Sequence, residues 1–213
     1  GDHHTAISDY KELLTDRLRI LGPNHPGTLT TRSNIAHSKG EAGDHHTAIS
    51  DYKELLTDRL RILGPNHPGT LTTRANIAFW KGSTGDHHTA ISDYKELLTD
   101  QLRILGPNHP HTLTTRANIA RWKGEAGDHH TAITEYEELL TDQLRILGPN
   151  HPDTLTIRAN IAYCKGSTGD HHTAITDYEK LLADQLRISA PTTPAPSPPA
   201  AIWREYCWGG VRC

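Results

Sequence analysis

The sequence predicts an all-α solenoid built from helix–turn–helix units of 42 residues. The heptapeptide GDHHTAI begins at positions 1, 43, 85, 127 and 169, and the first two units are identical at 37 of 42 positions. A fixed period of this length is typical of repeat proteins, in which each unit packs on its neighbours. Within every unit, apolar residues recur at helical spacing, so helices rather than strands form the repeat.

The first half of each unit predicts one helix, which we call helix B. Apolar residues in the first unit follow one another at intervals of three and four, so they share one face. Asp2 lies where an N-cap belongs. Gly22 and Pro23 end the helix, because glycine adopts the C-terminal turn and proline cannot continue it. We therefore expect helix B at residues 3–21.

The second half of each unit predicts another helix, which we call helix A. Pro26 suits a first helical turn, and the apolar stripe includes Ile35. We expect helix A at residues 26–39, with Gly40 and Gly43 in the turn to the next unit. Neither helix buries its stripe alone, so the units must stack.

The motif N-I-A-x-x-x-G-x-x-G-D-x-x-x-A-I-x-x-Y-x-x-L-L resembles the tetratricopeptide repeat (TPR) pattern. The 42-residue spacing is similar to the long TPR-like class of bacterial multidomain proteins and kinesin light chain. The resemblance covers residues 1–188 and implies a right-handed superhelix whose A helices line a concave, protein-binding face. The residues that carry it are Asn34, Ile35, Ala36, Gly43, Ala48, Tyr52 and Leu55.

Residues 189–213 leave the repeat and form a Pro-rich tail. After residue 188 the repeat predicts L-G-P-N-H-P-G-T-L-T-T-R. A GC-rich spelling of that segment with one base deleted encodes S-A-P-T-T-P-A-P-S-P-P-A, which is the sequence of residues 189–200. We interpret the tail as frameshifted, disordered and without function. The fifth unit, which starts at residue 169, is therefore partial.

Composition excludes several classes of protein. The net charge is -3 without a basic stripe, so we do not expect a nucleic-acid partner. No apolar run approaches the roughly 20 residues of a membrane span. The three cysteines, Cys164, Cys207 and Cys213, form no disulfide framework, which favours the cytoplasm. The chain has no methionine, and we expect it to be a fragment of a larger protein.

The repeated D-H-H motif offers metal-ligand residue types, yet the sequence predicts no metal site and no cofactor. His3 and His4 are adjacent and point about 100° apart on a helix, so they do not coordinate one ion together as histidines at positions i and i+4 would. One histidine is expected to pack between helices and the other to be solvated. Asp9 and Glu12 fit a solvated face, and Cys164 occurs in one unit only. We therefore predict that the chain is not an enzyme.

The units differ mainly late in helix A. Position 37 and its copies are His37, Phe79, Arg121 and Tyr163. By the TPR resemblance this position contacts a bound peptide on the concave face, and aromatic and arginine side chains are enriched in binding hot spots. We predict that these four residues bind the partner. The neighbouring series, with Trp80 and Trp122, is expected to pack between units.

We predict that the chain is a protein-interaction scaffold whose concave face binds a peptide or a helix of its partner. A second hypothesis is self-assembly, because the chain opens and closes with a B helix whose uncapped apolar face favours end-to-end stacking into open arrays. A third hypothesis is a sensor of metal ions or pH based on the repeated histidines.

Overall fold

The computed structural model of the chain describes residues 3–189, which form nine α-helices in the predicted alternating order. The prediction for the tail therefore lies outside the described residues, apart from Ser189 at the end of the last helix. The B helices are α1 (His3–Leu21), α3 (His45–Leu63), α5 (His87–Ile104), α7 (His129–Ile146) and α9 (His171–Ser189). The A helices are α2 (Pro26–Glu41), α4 (Pro68–Ser83), α6 (Pro110–Glu125) and α8 (Pro152–Ser167).

Two kinds of cap start the helices. Asp44 accepts a hydrogen bond from the backbone N–H of Thr47 at 3.2 Å, and hydrogen bonding first to the side chain and then to the backbone of Thr47 lowers the pKa of the Asp44 carboxyl. The predicted aspartate cap is thus confirmed in this copy, while Asp2 itself lies outside the described residues. Helix A begins differently: Nδ1 of His67 accepts from the backbone N–H of Gly69 at 3.0 Å. The N-H-P loop therefore caps the helix that follows it.

The glycine at position 40 has a different role from the one predicted. The A helix continues beyond Gly40, and the turn falls at Gly43, where φ is 91°. A Cβ atom on Gly40 would lie 2.5 Å from Cε2 of Trp80 in the next A helix, and Gly82 stands in the same relation to Trp122. Glycine is needed here because a tryptophan ring packs directly on the helix backbone.

The hydrophobic core repeats with the sequence. Tyr52 and Leu55 of α3 are 1% and 0% exposed, in a cluster formed by α2, α3 and α4. Equivalent clusters surround Tyr94 and Tyr136. The Tyr52 hydroxyl donates to the carbonyl of Ser33 at 3.0 Å, which satisfies a buried polar group. A B helix that lies between two A helices therefore packs its apolar face against both of them.

Ion pairs also join each A helix to the B helix that follows. Arg32 of α2 lies 2.6 Å from Asp58 of α3, and Lys39 lies 2.5 Å from Asp51. Both pairs recur in three further units at the 42-residue period. Asp9 is exposed, as expected for a solvated face, and in the later units its copies remain partly exposed while pairing with the lysine of the preceding A helix.

The A helices lie on the inner side of the array. Helix α4 also contacts α6, and α6 contacts α8, whereas no two successive B helices within residues 3–189 make a comparable contact. Closer spacing of one helix type places that type on the inside of the curve. None of the described helices combines the length and apolar composition of a membrane span.

Candidate functional site

The four predicted binding residues lie at the same level of four successive A helices. Tyr163 is 56% exposed, and the His37 side chain is 58% exposed. Arg121 is also exposed, whereas Phe79 is half-buried against the two neighbouring core clusters. His37, Arg121 and Tyr163 are therefore exposed enough to contact a partner, and Phe79 is accessible in part.

The structure brings two members of this series together. The guanidinium carbon of Arg121 lies 5.6 Å from the centroid of the Phe79 ring, a cation–π distance. The Phe79 ring also lies 5.9 Å from Trp122. His37 contacts Trp80 of the next A helix, at 5.7 Å between ring centroids. Within residues 3–189 no aromatic ring lies against Tyr163, so this residue stands apart from the other three.

The neighbouring series packs between units, as predicted. Trp80, Trp122 and Cys164 are each 3% exposed. Trp80 packs on the backbone at Gly40 and stacks on His45, with 5.3 Å between ring centroids and 20° between ring planes. These rings therefore fix the spacing of adjacent A helices rather than face a partner.

In the first four units the two histidines of the D-H-H motif differ in burial, as expected, whereas in the fifth unit both are exposed. His46 is exposed, whereas His45 is half-buried against Trp80. Nδ1 of His45 is buried and has no hydrogen-bond partner among the described residues. Within that part of the chain, no three histidine, cysteine or acidic side chains are grouped to hold a metal ion.

A cavity of about 310 Å³ opens between the A helices α4 and α6, above α5. Tyr94 forms part of its floor, and burial raises the pKa of the hydroxyl, which stays protonated at neutral pH. Phe79 belongs to its wall, so the cavity adjoins the predicted binding series. The residues that line the cavity include Asn76, Phe79, Tyr94, Gln101, His111 and Thr115.

The sequence alone did not reveal this cavity, although the signal was present. One position near the end of helix B is Arg17 in the first unit, Arg59 in the second and Gln101 in the third. Position 27 also changes, to His111 in the third unit. These differences lie on separate helices, and only the fold shows that they meet beside Phe79.

Alternating A and B helices, with an inner face built from the A helices, define a helical-repeat protein, a class whose extended surfaces bind other proteins. Residues 1–59, 29–100, 75–142 and 125–185 each match the family model of the tetratricopeptide repeat. The chain therefore belongs to the tetratricopeptide repeat family, as the sequence motif predicts. No curated protein matches the chain.

Solved structures with the same fold include kinesin light chain relatives. One is a kinesin light chain-type protein with nearly identical TPR-like repeats from Podosopora anserina (TM-score 0.69, 19% identity, 89% of this chain and 90% of that chain). Another is BtubC from P. vanneervenii (TM-score 0.72, 19% identity, 97% and 82%). PlcR of Bacillus thuringiensis, in complex with the peptide PapR7 and DNA, has a TM-score of 0.63 at 17% identity (85% and 65%). At these identities the likeness concerns the fold.

Proposed function

We propose that the chain is a protein-interaction scaffold that binds a peptide, extended or helical, along the inner face of its A helices. The observation that carries the proposal is the groove between α4 and α6, where Phe79 and Arg121 stack beside an open cavity. The tetratricopeptide repeat class binds proteins, and the similar protein PlcR was solved with a peptide.

The chemistry of the groove suits peptide recognition. Arginine and aromatic side chains carry much of the binding energy in protein interfaces. Phe79 is already held by the core, and Arg121 is held over its ring, so less side-chain entropy is lost on binding. Tyr163 extends the same surface by one unit. We therefore place the partner across α4, α6 and α8.

The proposal is tested with peptides selected from a random display library on the immobilised full chain. Affinity is then measured by fluorescence anisotropy for the wild type and for the variant Phe79→Ala/Arg121→Ala/Tyr163→Ala. We expect the triple variant to bind at least about a hundredfold more weakly, because truncating hot-spot residues costs more than about 1 kcal/mol each and each 1.4 kcal/mol is a factor of ten.

A matched control carries three alanines in the same units on the outer side. Glu54, Glu96 and Glu138 are exposed on B helices, so replacing them should leave the affinity unchanged. Circular dichroism of each variant checks that helicity is retained. If the inner-face variant keeps its affinity, or if the outer-face control loses it, the assignment of the groove is wrong.

Self-association is a second candidate, favoured by the apolar faces of α1 and α9. Tyr178 is 42% exposed, whereas its copy Tyr136 is 2% exposed; Leu13 is 39% exposed, whereas Leu55 is 0% exposed. In the interior, these faces are covered by an A helix. Because α1 and α9 are both B helices, two copies that meet end to end would form a contact unlike the internal ones.

Light scattering coupled to size exclusion, over a hundredfold range of concentration, tests self-association of the full chain. The mass should rise with concentration and return to that of a monomer in the variant Tyr178→Lys. A constant monomer mass in the wild type would leave the inner face as the binding surface.

The proposed scaffold acts without catalysis, in the cytoplasm, on a protein partner rather than on nucleic acid. The cytoplasmic location follows from the cysteine usage, and the choice of partner from the net charge of -3 without a basic stripe. A response of the repeated histidines to metal ions or pH stays a prediction. A melting temperature that rises with zinc and falls back with a chelator would support it.

A further inference from the structure

We propose that the cavity above Gln101 binds the guanidinium group of an arginine side chain carried by the bound peptide. The proposal rests on the proposed function, since it names the chemistry of a partner on the same face. It is carried by a comparison within the chain, because the preceding unit fills the equivalent space with an arginine of its own.

In the second unit, Arg59 extends from α3 between α2 and α4 and is 7% exposed. Its Nη1 donates to the carbonyl of Gly69 and to Oγ1 of Thr73, both at 2.7 Å. Its Nη2 lies 3.5 Å from the carbonyl of Leu29. The fold thus holds a guanidinium at this place through neutral oxygen atoms.

In the third unit, Gln101 occupies the position of Arg59 and is 2% exposed. The glutamine side chain is shorter, and its Oε1 is buried without a hydrogen-bond partner in the described part of the chain. By the 42-residue register, the oxygen atoms that hold Arg59 correspond to the carbonyls of Leu71 and His111 and to the hydroxyl of Thr115. All three residues line the cavity.

The size and wall of this cavity suit one planar cationic side chain. Its volume of about 310 Å³ is at the lower end of the range of small-ligand sites, about 300–1,000 Å³. Phe79 offers an aromatic ring on which a guanidinium stacks. Asn76 and Asn118, whose side-chain amides contain an acceptor oxygen, also line the cavity. Arg121, outside the cavity lining, carries a like charge near Phe79 and limits the affinity.

The fourth unit provides a built-in comparison. Gln143 again replaces the arginine and is 3% exposed, but Ile157 stands where the third unit has Thr115. The hydroxyl acceptor is lost, and the larger apolar side chain occupies its place. We therefore assign the guanidinium site to the cavity between α4, α5 and α6 and expect no equivalent site over Gln143.

The test uses the full chain, labelled with 15N, and a blocked arginine, N-acetyl-L-arginine N-methylamide, as the probe. A titration followed by NMR should shift the side-chain amide signals of Gln101. Blocked citrulline has the same shape without the charge and should bind at least about tenfold more weakly, because charge-assisted hydrogen bonds are roughly twice as strong as neutral ones. Equal binding of the two probes, or no binding of arginine, would overturn the proposal.

Three variants locate the site. Gln101→Arg restores the residue of the second unit and should abolish binding by filling the cavity, whereas the matched change Gln143→Arg should leave it intact. Arg59→Gln should open a second cavity and raise the stoichiometry from one probe to two. Binding that survives Gln101→Arg, or an unchanged stoichiometry in a folded Arg59→Gln variant, would show that the arginine site is elsewhere.

This experiment separates the guanidinium site from the proposed scaffold function. The blocked amino acid reports on the cavity without any peptide partner, whereas the triple alanine variant reports on the peptide groove. If blocked arginine does not bind but the triple alanine variant still loses affinity for the peptide, the chain is a peptide scaffold without an arginine pocket.

Discussion

The contact between Gly40 and Trp80 allows a sharp test of how the units pack, using the substitution Gly40→Ala. A new Cβ atom would lie 2.5 Å from Cε2 of the Trp80 ring. The ring is 3% exposed and is stacked on His45, so it has little freedom to retreat. The methyl group must therefore displace either the ring or the helix.

The expected magnitude comes from two opposing effects. Alanine is favoured over glycine inside a helix by about 1 kcal/mol, whereas overpacking of a filled core costs about 1–3 kcal/mol. Gly40→Ala should thus leave the free energy of unfolding between about 0 and 2 kcal/mol lower than in the wild type, with the propensity gain included.

The third unit supplies the control, Gly124→Ala, because the residue that faces Gly124 in the fourth unit is Cys164 rather than tryptophan. A Cβ atom there would lie 3.5 Å from Sγ of Cys164, which is ordinary contact. This variant should gain the helix propensity of about 1 kcal/mol without the clash. The propensity effect cancels between the two variants, so their difference of about 1–3 kcal/mol measures overpacking alone.

Urea unfolding followed by circular dichroism measures both variants. With a slope of about 2 kcal/mol/M, a difference of about 2 kcal/mol corresponds to midpoints about 1 M apart. In a Trp80→Cys background, which imitates the fourth unit, Gly40→Ala should become stabilising. If Gly40→Ala raises the midpoint as much as Gly124→Ala does, the ring does not pack on the helix backbone and the reasoning fails.

Three further predictions concern stability. Cys164→Trp should stabilise the fold by about 1–3 kcal/mol in urea unfolding, because a tryptophan at the equivalent position packs on Gly40 and on Gly82 in the preceding units and buries more apolar surface than cysteine; a lower midpoint would contradict it. The hydrogen bond from Arg32 lowers the pKa of Asp58 in the folded chain. The ion pair therefore stabilises the fold above the unfolded pKa of about 3.9, and this stabilisation is lost as the pH falls below that value. In Asp58→Asn the melting temperature should fall less between neutral and acidic pH than in the wild type, and an equal fall would argue against the pair. At the helix cap, Asp86→Ala should lower the melting temperature more than Asp86→Asn, which keeps an oxygen acceptor; equal effects would exclude the cap.

The boundaries of the helices followed from local signals. Apolar residues at helical spacing, the aspartate before each B helix, and Gly22 with Pro23 after it predict residues 3–21, and α1 spans His3–Leu21. The prediction for helix A is two residues short, because it ends the helix before Gly40. A glycine inside a helix carries no local sign of the ring that it accommodates, so this error could not be avoided from one unit.

Half of the candidate site was predictable. The variable positions pointed to Phe79 and Arg121, which the structure places in contact. The cavity beside them was not predicted, since it depends on Gln101 and Thr115, which belong to different helices and are both 2% exposed. Each of these residues looks unremarkable by itself; its consequence is visible only where the two helices meet.

The sequence by itself determined the repeat, the two helices of each unit and the family, because period, apolar spacing and capping residues act over a few neighbouring positions. The tertiary structure decided what lies between the units: the ring of Trp80 on the backbone at Gly40, and the empty space that Gln101 leaves where Arg59 fills the preceding unit. Both depend on packing between separate helices, and the ring and the glycine that it covers lie about 40 positions apart in the sequence. In a closely packed interior, the size of one side chain decides whether the space beside it is filled or empty. That outcome depends on which helices contact one another, so it follows from the tertiary structure.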